Sequence, residues 1–229
     1  MGDLILRRRR IAMLDDLEVF EVKLGNAFLM SSLFHEVEEA LADLGLAAVA
    51  GDALDVVVGG LGLGYTALAA LMDERVAEVL VVDTMPAVIE WHRKGLVPLG
   101  ATLTGDARCR FVEADFFALA ADPDLGFDPA APGRRFHAVL LDIDHSPDNL
   151  LHERHAAFYS ADGLRCLAAQ LLPGGVFALW SDDPPEDAFL RNLSEVFGTP
   201  QAHVVTFPNP LLDRNSESTV YVARKAAVS

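Results

Sequence analysis

Carboxylates recur in this chain where short strand-like runs end. Val79–Val82 gives way to Asp83, Phe111-Val112-Glu113-Ala114 to Asp115, Val139–Leu141 to Asp142, and Phe177–Trp180 to Ser181 and Asp182. The densest group is Asp142-Ile143-Asp144-His145, three titratable side chains in four residues. Such groups suit the binding of a cation or the transfer of a proton. Were the reacting group a primary ammonium, which titrates near ~10 as lysine does, a carboxylate would orient it and take its proton before its lone pair could attack. Asp142 or Asp144 fits that role. His145 fits as a proton relay or, equally, as a loop histidine hydrogen-bonded to its neighbours. Asp182 and Asp183 would add negative charge for a cationic acceptor.

These groups act together only if the fold brings the strand ends to one edge, and the stretch Leu54–Thr66 shows how. Leu54-Asp55-Val56-Val57-Val58 reads as a strand covered on both faces, Gly59-Gly60-Leu61-Gly62-Leu63-Gly64 as a tight turn, and Tyr65–Met72 as a helix. Glycines admit positive φ and let backbone N–H groups approach a ligand, and the turn sits at a helix N-terminus. Gly60, Gly62 and Gly64 follow a G-x-G-x-G spacing; the sixth place of a dinucleotide fingerprint is Tyr65, and no G-x-x-x-x-G-K-[ST] run exists. With no Lys or Arg beside the glycines, an uncharged or cationic nucleoside fits better than a pyrophosphate. Asp83, nineteen residues beyond Gly64 and followed by Thr84, is placed to accept from both ribose hydroxyls. Asp115 is expected to accept an adenine amino proton while Phe116 packs against the ring.

Further strands are expected at 78–83, 110–113, 138–142, 175–180, 201–207 and 218–224. Helices are expected at 33–50, 65–73, 86–95, 160–170 and 185–197. This alternation predicts an α/β fold with a parallel sheet and helices on both faces, ligands binding outside the carboxyl ends of its strands. The last two strands follow without a helix between them and should pair as an antiparallel hairpin. Residues 1–33 read as a small β subdomain with strands at 3–8, 17–24 and 27–32 and a turn at Lys23-Leu24-Gly25-Asn26; residues 34–229 form the main domain. The Arg7–Arg10 run reads as a solvated strand edge, and 122–135, rich in Pro, Asp and Gly, as a surface loop.

Composition narrows the partners. A chain of 229 residues that is 52% hydrophobic buries a sizeable core. Its net charge of −16 argues against a nucleic-acid partner, which needs clustered Lys and Arg, and suits a cationic substrate. No apolar run reaches the ~18 residues of a membrane span. The arginines near the N-terminus follow Leu4-Ile5-Leu6 where a signal peptide would have them first. Cys109 and Cys166 form neither a disulfide framework nor a metal-ligand pattern, so no metal and a reducing cytoplasm are expected.

Taken together, the motifs resemble the polyamine aminopropyltransferases, spermidine synthase-like proteins of the class I S-adenosylmethionine-dependent methyltransferase fold. The resemblance spans roughly Val19 to Lys225. It lies in Phe34-His35-Glu36, Val58-Gly59-Gly60-Leu61-Gly62, Val82-Asp83-Thr84-Met85-Pro86, Glu113-Ala114-Asp115, Leu141-Asp142, Phe158-Tyr159 and Leu172-Pro173-Gly174-Gly175-Val176-Phe177. It implies a Rossmann-like seven-stranded sheet with the last strand antiparallel, and an adenosyl sulfonium co-substrate, decarboxylated S-adenosylmethionine or S-adenosylmethionine itself. It implies Asp83 and Asp115 on the nucleoside, Asp142 at the reacting centre, and His35, Glu36, Tyr159 and Asp182 toward a small amine. It also implies a homodimer or homotetramer through the N-terminal strands. Departures fall on the acceptor side. Gly62 stands where the family usually has an acid, Phe34 where it has a tyrosine, and the second acid of the catalytic loop is displaced by one residue. A methyltransferase and a non-catalytic nucleoside-binding protein are therefore the other readings.

Overall fold

The structure, a computed structural model, describes residues 3–25 and 27–227; Asn26 of the expected turn and the Met1-Gly2 start lie outside the described residues. Three strands open the chain: β1 (Leu4–Ile11), β2 (Leu17–Leu24) and β3 (Ala27–Ser31), joined antiparallel in the order β1-β2-β3. The arginine run lies inside β1, where alternation sends Arg7 and Arg9 toward one acid. Both contact Glu21 of β2, whose side chain is 5% exposed, and Arg8 pairs with Glu18. Burial would raise Glu21, but Arg9 and Arg7 hold it below the usual carboxylate range. The run is therefore a cross-strand clasp as well as an edge guard.

The second sheet has seven strands: β4 (Leu54–Gly59), β5 (Val76–Asp83), β6 (Cys109–Glu113), β7 (Phe136–Leu141), β8 (Leu171–Ser181), β9 (Gln201–Asn209) and β10 (Arg214–Arg224). Their order is β6-β5-β4-β7-β8-β10-β9, with β10 antiparallel to both its neighbours and the pairs from β6 to β8 parallel. The first change of winding direction falls between β4 and β7, which places the glycine turn and Asp142 side by side: Asp142 N–H donates to the Gly59 carbonyl at 2.8 Å.

Helices cover both faces. Val56, Val58, Val79 and Val81 pack toward α1 (Glu36–Ala47), α2 (Tyr65–Met72), α3 (Pro86–Arg93) and α4 (Gly100–Gly105). Their sequence neighbours Val57, Leu80 and Val82 face the other way, toward α5 (Phe116–Ala120), α6 (Ala156–Tyr159), α7 (Ala161–Ala169) and α8 (Asp187–Ser194). Among the described residues no helix is long and apolar enough to cross a membrane.

Besides the short helices α4, α5 and α6, which fall outside the expected helices, two details of strand and loop differ from the expectations. Strand β8 runs through Pro173-Gly174-Gly175 instead of starting after it. Phe136 pairs with Leu171 and Ala138 with Val176, so the extra residues form an irregularity with Gly174 at φ 76°. The 122–135 segment is not purely surface. Phe127 is fully buried, and Asp128, 2% exposed, accepts from Arg110 and Arg134 while Arg134 also reaches Glu78 and Asp55.

Candidate active site

A cavity of about 430 Å³ opens over the carboxyl ends of β4, β5, β7 and β8. Its far walls are β2 and β3, the first turn of α1, and the β9–β10 hairpin. The glycine turn forms the floor. Gly60, Gly62 and Gly64 all have positive φ (93°, 47° and 97°). A Cβ on Gly64 would meet Leu103 at 2.5 Å, and one on Gly62 would meet the Met30 thioether at 2.7 Å. Gly62 thus leaves room for a side chain delivered by the N-terminal sheet. Below, the fully buried His92 ring bonds the Gly62 carbonyl through Nε2 at 3.0 Å. Burial depresses its pKa, so a neutral ring donating from Nε2 holds the turn.

Asp83 ties this turn to α3. Its carboxylate accepts from Leu61 N–H at 2.9 Å and Met85 N–H at 2.7 Å, and it lines the cavity with Thr84. Burial pushes it above the usual carboxylate range, against the pull of those N–H groups and that of Gly62. Asp115 also lines the cavity, but its oxygens are engaged. One accepts from Phe117 and Ala118 N–H at the start of α5, and the other pairs with Arg154 at 3.0 Å. It therefore acts first as a helix cap, and an adenine amino group would have to share it with Arg154. Phe116 lines the cavity and stacks on Phe127 beneath it.

The group after β7 divides. Asp142 faces the cavity, accepts from the Thr66 hydroxyl at 3.1 Å, and is pushed up by burial to about 6. His145 and Asp182 line the cavity beside it, and the His145 carbonyl accepts from Asp182 N–H. Asp144 does not face it. Its carboxyl is 1% exposed and accepts from His155 Nδ1 at 2.9 Å, the Tyr159 hydroxyl at 2.9 Å and Leu151 N–H at 2.8 Å. The expectation of Asp144 at the reacting centre and of Tyr159 on the substrate is corrected here: the two groups satisfy one another behind the wall. Their partners His155, stacked on Phe117 at 3.9 Å, and Leu151 line the cavity in their place. Asp144→Ala would strand three donors, so a loss of about 3–5 kcal/mol is expected by denaturant titration. Unchanged stability with lost turnover would instead give Asp144 a catalytic role.

On α1, His35 stacks on Tyr65 at 4.4 Å and its Nδ1 lies 2.9 Å from Glu39, while Glu36 accepts from the His35 backbone N–H. Both line the cavity. Sequence reasoning missed Glu38, in the first turn of that helix. Burial first, then the charge of Asp142, pushes it to about 8. It also missed Met30, His92 and Trp180, whose buried indole N–H has no partner among the described residues. Only an i, i+3 count along α1 from His35 would have brought Glu38 to notice. In all, six carboxyls line the cavity (Glu36, Glu38, Asp83, Asp115, Asp142, Asp182) against one guanidinium, Arg154, already paired, so the site favours positive charge.

No family model and no curated sequence matches the chain; the likeness is structural. A spermidine synthase from Thermotoga maritima aligns with all of this chain and 72% of its own, at a TM-score of 0.69 and 17% identity. A spermidine synthase in complex with the transition-state analogue AdoDATO aligns likewise, at 0.70 and 17%, over 73% of its length. Human methyltransferase-like protein 13, in complex with SAH, aligns over 83% of this chain and 82% of its own, at 0.59 and 19% identity. This chain has the fold of the spermidine synthases and methyltransferases. With 738 solved chains matching, that fold alone does not choose a reaction, and the choice falls to the side chains at the strand ends.

Proposed function

We propose that the protein transfers an aminopropyl group from decarboxylated S-adenosylmethionine to a small cationic amine. The observation that supports this reading is the charge of the cavity beside the glycine turn, where Asp142 and Glu38 stand with no Lys or Arg lining that end. The carboxylate of intact S-adenosylmethionine would meet like charge there. At an effective dielectric of 20, two such charges ~4 Å apart repel by about 4 kcal/mol. Both donors carry an ammonium; the decarboxylated one lacks the carboxylate and so escapes that repulsion.

The residues present fit such a donor. Asp83 would take the ribose hydroxyls, Phe116 and Phe117 the base, and the glycine turn lines the end of the cavity where the sulfonium would lie. A sulfonium is already an activated leaving group, so the chain's task is to align an in-line attack, worth ~7–11 kcal/mol, and to deprotonate the acceptor. Asp142, raised to about 6, suits the second task near neutral pH.

The test is product analysis by mass spectrometry with each donor and a panel of amines. Methylthioadenosine formed only from the decarboxylated donor is the expected result. S-adenosylhomocysteine from the intact donor would overturn the reading in favour of methyl transfer, and nucleoside binding without either product would point to a non-catalytic role.

A further inference from the structure

We infer that Glu38 and Asp142 form a carboxyl pair that holds the acceptor's ammonium, and that Glu38 makes positive charge on the acceptor a condition of binding. This rests on the aminopropyl-transfer reading and names the group that selects its acceptor.

Glu38 and Asp142 reach the cavity from different elements, the first turn of α1 and the end of β7. Among the described residues the Asp142 carboxyl has one donor, the Thr66 hydroxyl. Glu38 has no donor from another described residue; its one hydrogen bond comes from its own backbone N–H. A partly buried carboxyl facing a cavity, with no donor from another described residue, is free to accept from a ligand there. The glycine turn supplies no side chain here, since Met30 fills the space in front of Gly62.

The surroundings keep the pair short of positive charge. On α1, Glu36 and Glu39 lie near Glu38, with His35 drawn to Glu39; Tyr65 and Thr66 face it from α2; His145 and Asp182 share the cavity. With Glu38 at about 8 and Asp142 at about 6, the pair holds about one proton at pH 7. Near pH 7 a cation between them favours the doubly ionised pair, so an arriving R–NH₃⁺ displaces the proton of Glu38.

The transfer then balances. Asp142 takes one ammonium proton, and the freed nitrogen lone pair forms the new C–N bond to the propyl carbon. The C–S bond breaks with its electron pair going to sulfur. The products are a secondary ammonium, a neutral thioether and the proton left on Asp142.

The experiment is calorimetric titration of the full chain, saturated with methylthioadenosine, with 1,4-diaminobutane as probe in two buffers of different ionisation enthalpy. The wild type is expected to release about one proton per diamine at pH 7, with affinity rising as pH climbs toward about 8 and levelling above it. Glu38→Gln should release essentially none and bind the diamine at least tenfold more weakly, with its remaining pH dependence near 6 from Asp142. Its methylthioadenosine affinity should stay within twofold, and Glu38→Asp should restore proton release. Equal affinity and proton release in Glu38→Gln would overturn the inference, as would a wild type that ignores the diamine, or parallel loss of methylthioadenosine binding. Should the wild type make S-adenosylhomocysteine yet show proton-linked diamine binding lost in Glu38→Gln, the pair stands and the donor assignment falls.

Discussion

Gly60→Ala is expected to abolish nucleoside binding and to lower the melting temperature by roughly 5–15 °C. Gly60 sits where β4 meets β7, at φ 93°, its N–H donating to the Val82 carbonyl at 2.9 Å. A Cβ there would overlap the Asp142 carbonyl oxygen and lie 3.1 Å from Ile143 Cγ1. Neither obstacle is the free end of a flexible side chain, so the strands themselves must part. Left-handed strain of about 1–2 kcal/mol and overpacking of about 1–3 kcal/mol add to about 2–5 kcal/mol. Parting the strands also moves Asp142 away from Thr66 and opens the floor of the cavity. Gly51→Ala is the control. It has the same backbone sign, φ 96°, but nothing within 4 Å of the added methyl, so it should cost about 1 kcal/mol and leave binding intact. Calorimetric melting and methylthioadenosine titration of both variants decide it. Equal effects at the two sites would show that strain alone, not the approach of β7, governs Gly60.

The contrast between those glycines shows what could be read from the residues alone. The run of Val before Gly59, the spacing of the glycines and the acid ending β5 are local patterns, each set by neighbours a few residues away, and they located the floor of the cavity. The seven-strand alternation was legible for the same reason. What stayed hidden depends on contacts distant in sequence. Asp142 and Asp144 look alike as text; His155 and Tyr159, which arrive on a later turn and α6, draw Asp144 out of reach of the cavity. Glu38 reads as one more acid on an amphipathic helix until α1 is docked beside Asp142. Helices α4 and α5 escaped notice because they are short and α4 begins and ends in glycine; buried Leu103 and Phe116 hold them by packing, not by propensity. Pro173-Gly174-Gly175 suggested a break, yet the irregular pairing with β7 lets β8 continue through it.

Asp83→Ala is expected to weaken nucleoside binding by about 10²-fold or more and to destabilise the apo protein by about 2–4 kcal/mol, two effects with separate origins. The stability loss comes from the Leu61 and Met85 N–H groups, each left without an acceptor at about 1–3 kcal/mol. The affinity loss comes from ribose hydroxyls that lose a charged acceptor, at about 1.5–3 kcal/mol per bond. Asp83→Asn separates them. Its single carbonyl oxygen can serve one backbone donor, while its amide N–H₂ faces the other, so much of the destabilisation should remain and ribose binding should fall only part of the way. Because burial raises Asp83 above the usual carboxylate range, wild-type nucleoside affinity should also weaken on acidification earlier than an exposed aspartate would dictate. Asp83→Ala should remove that acid limb together with the affinity. Methylthioadenosine titrated well below the melting point of each variant provides the measurement. Affinity within threefold of wild type in Asp83→Ala would confine Asp83 to holding the glycine turn, and the ribose would then have to find its acceptor elsewhere along the strand ends.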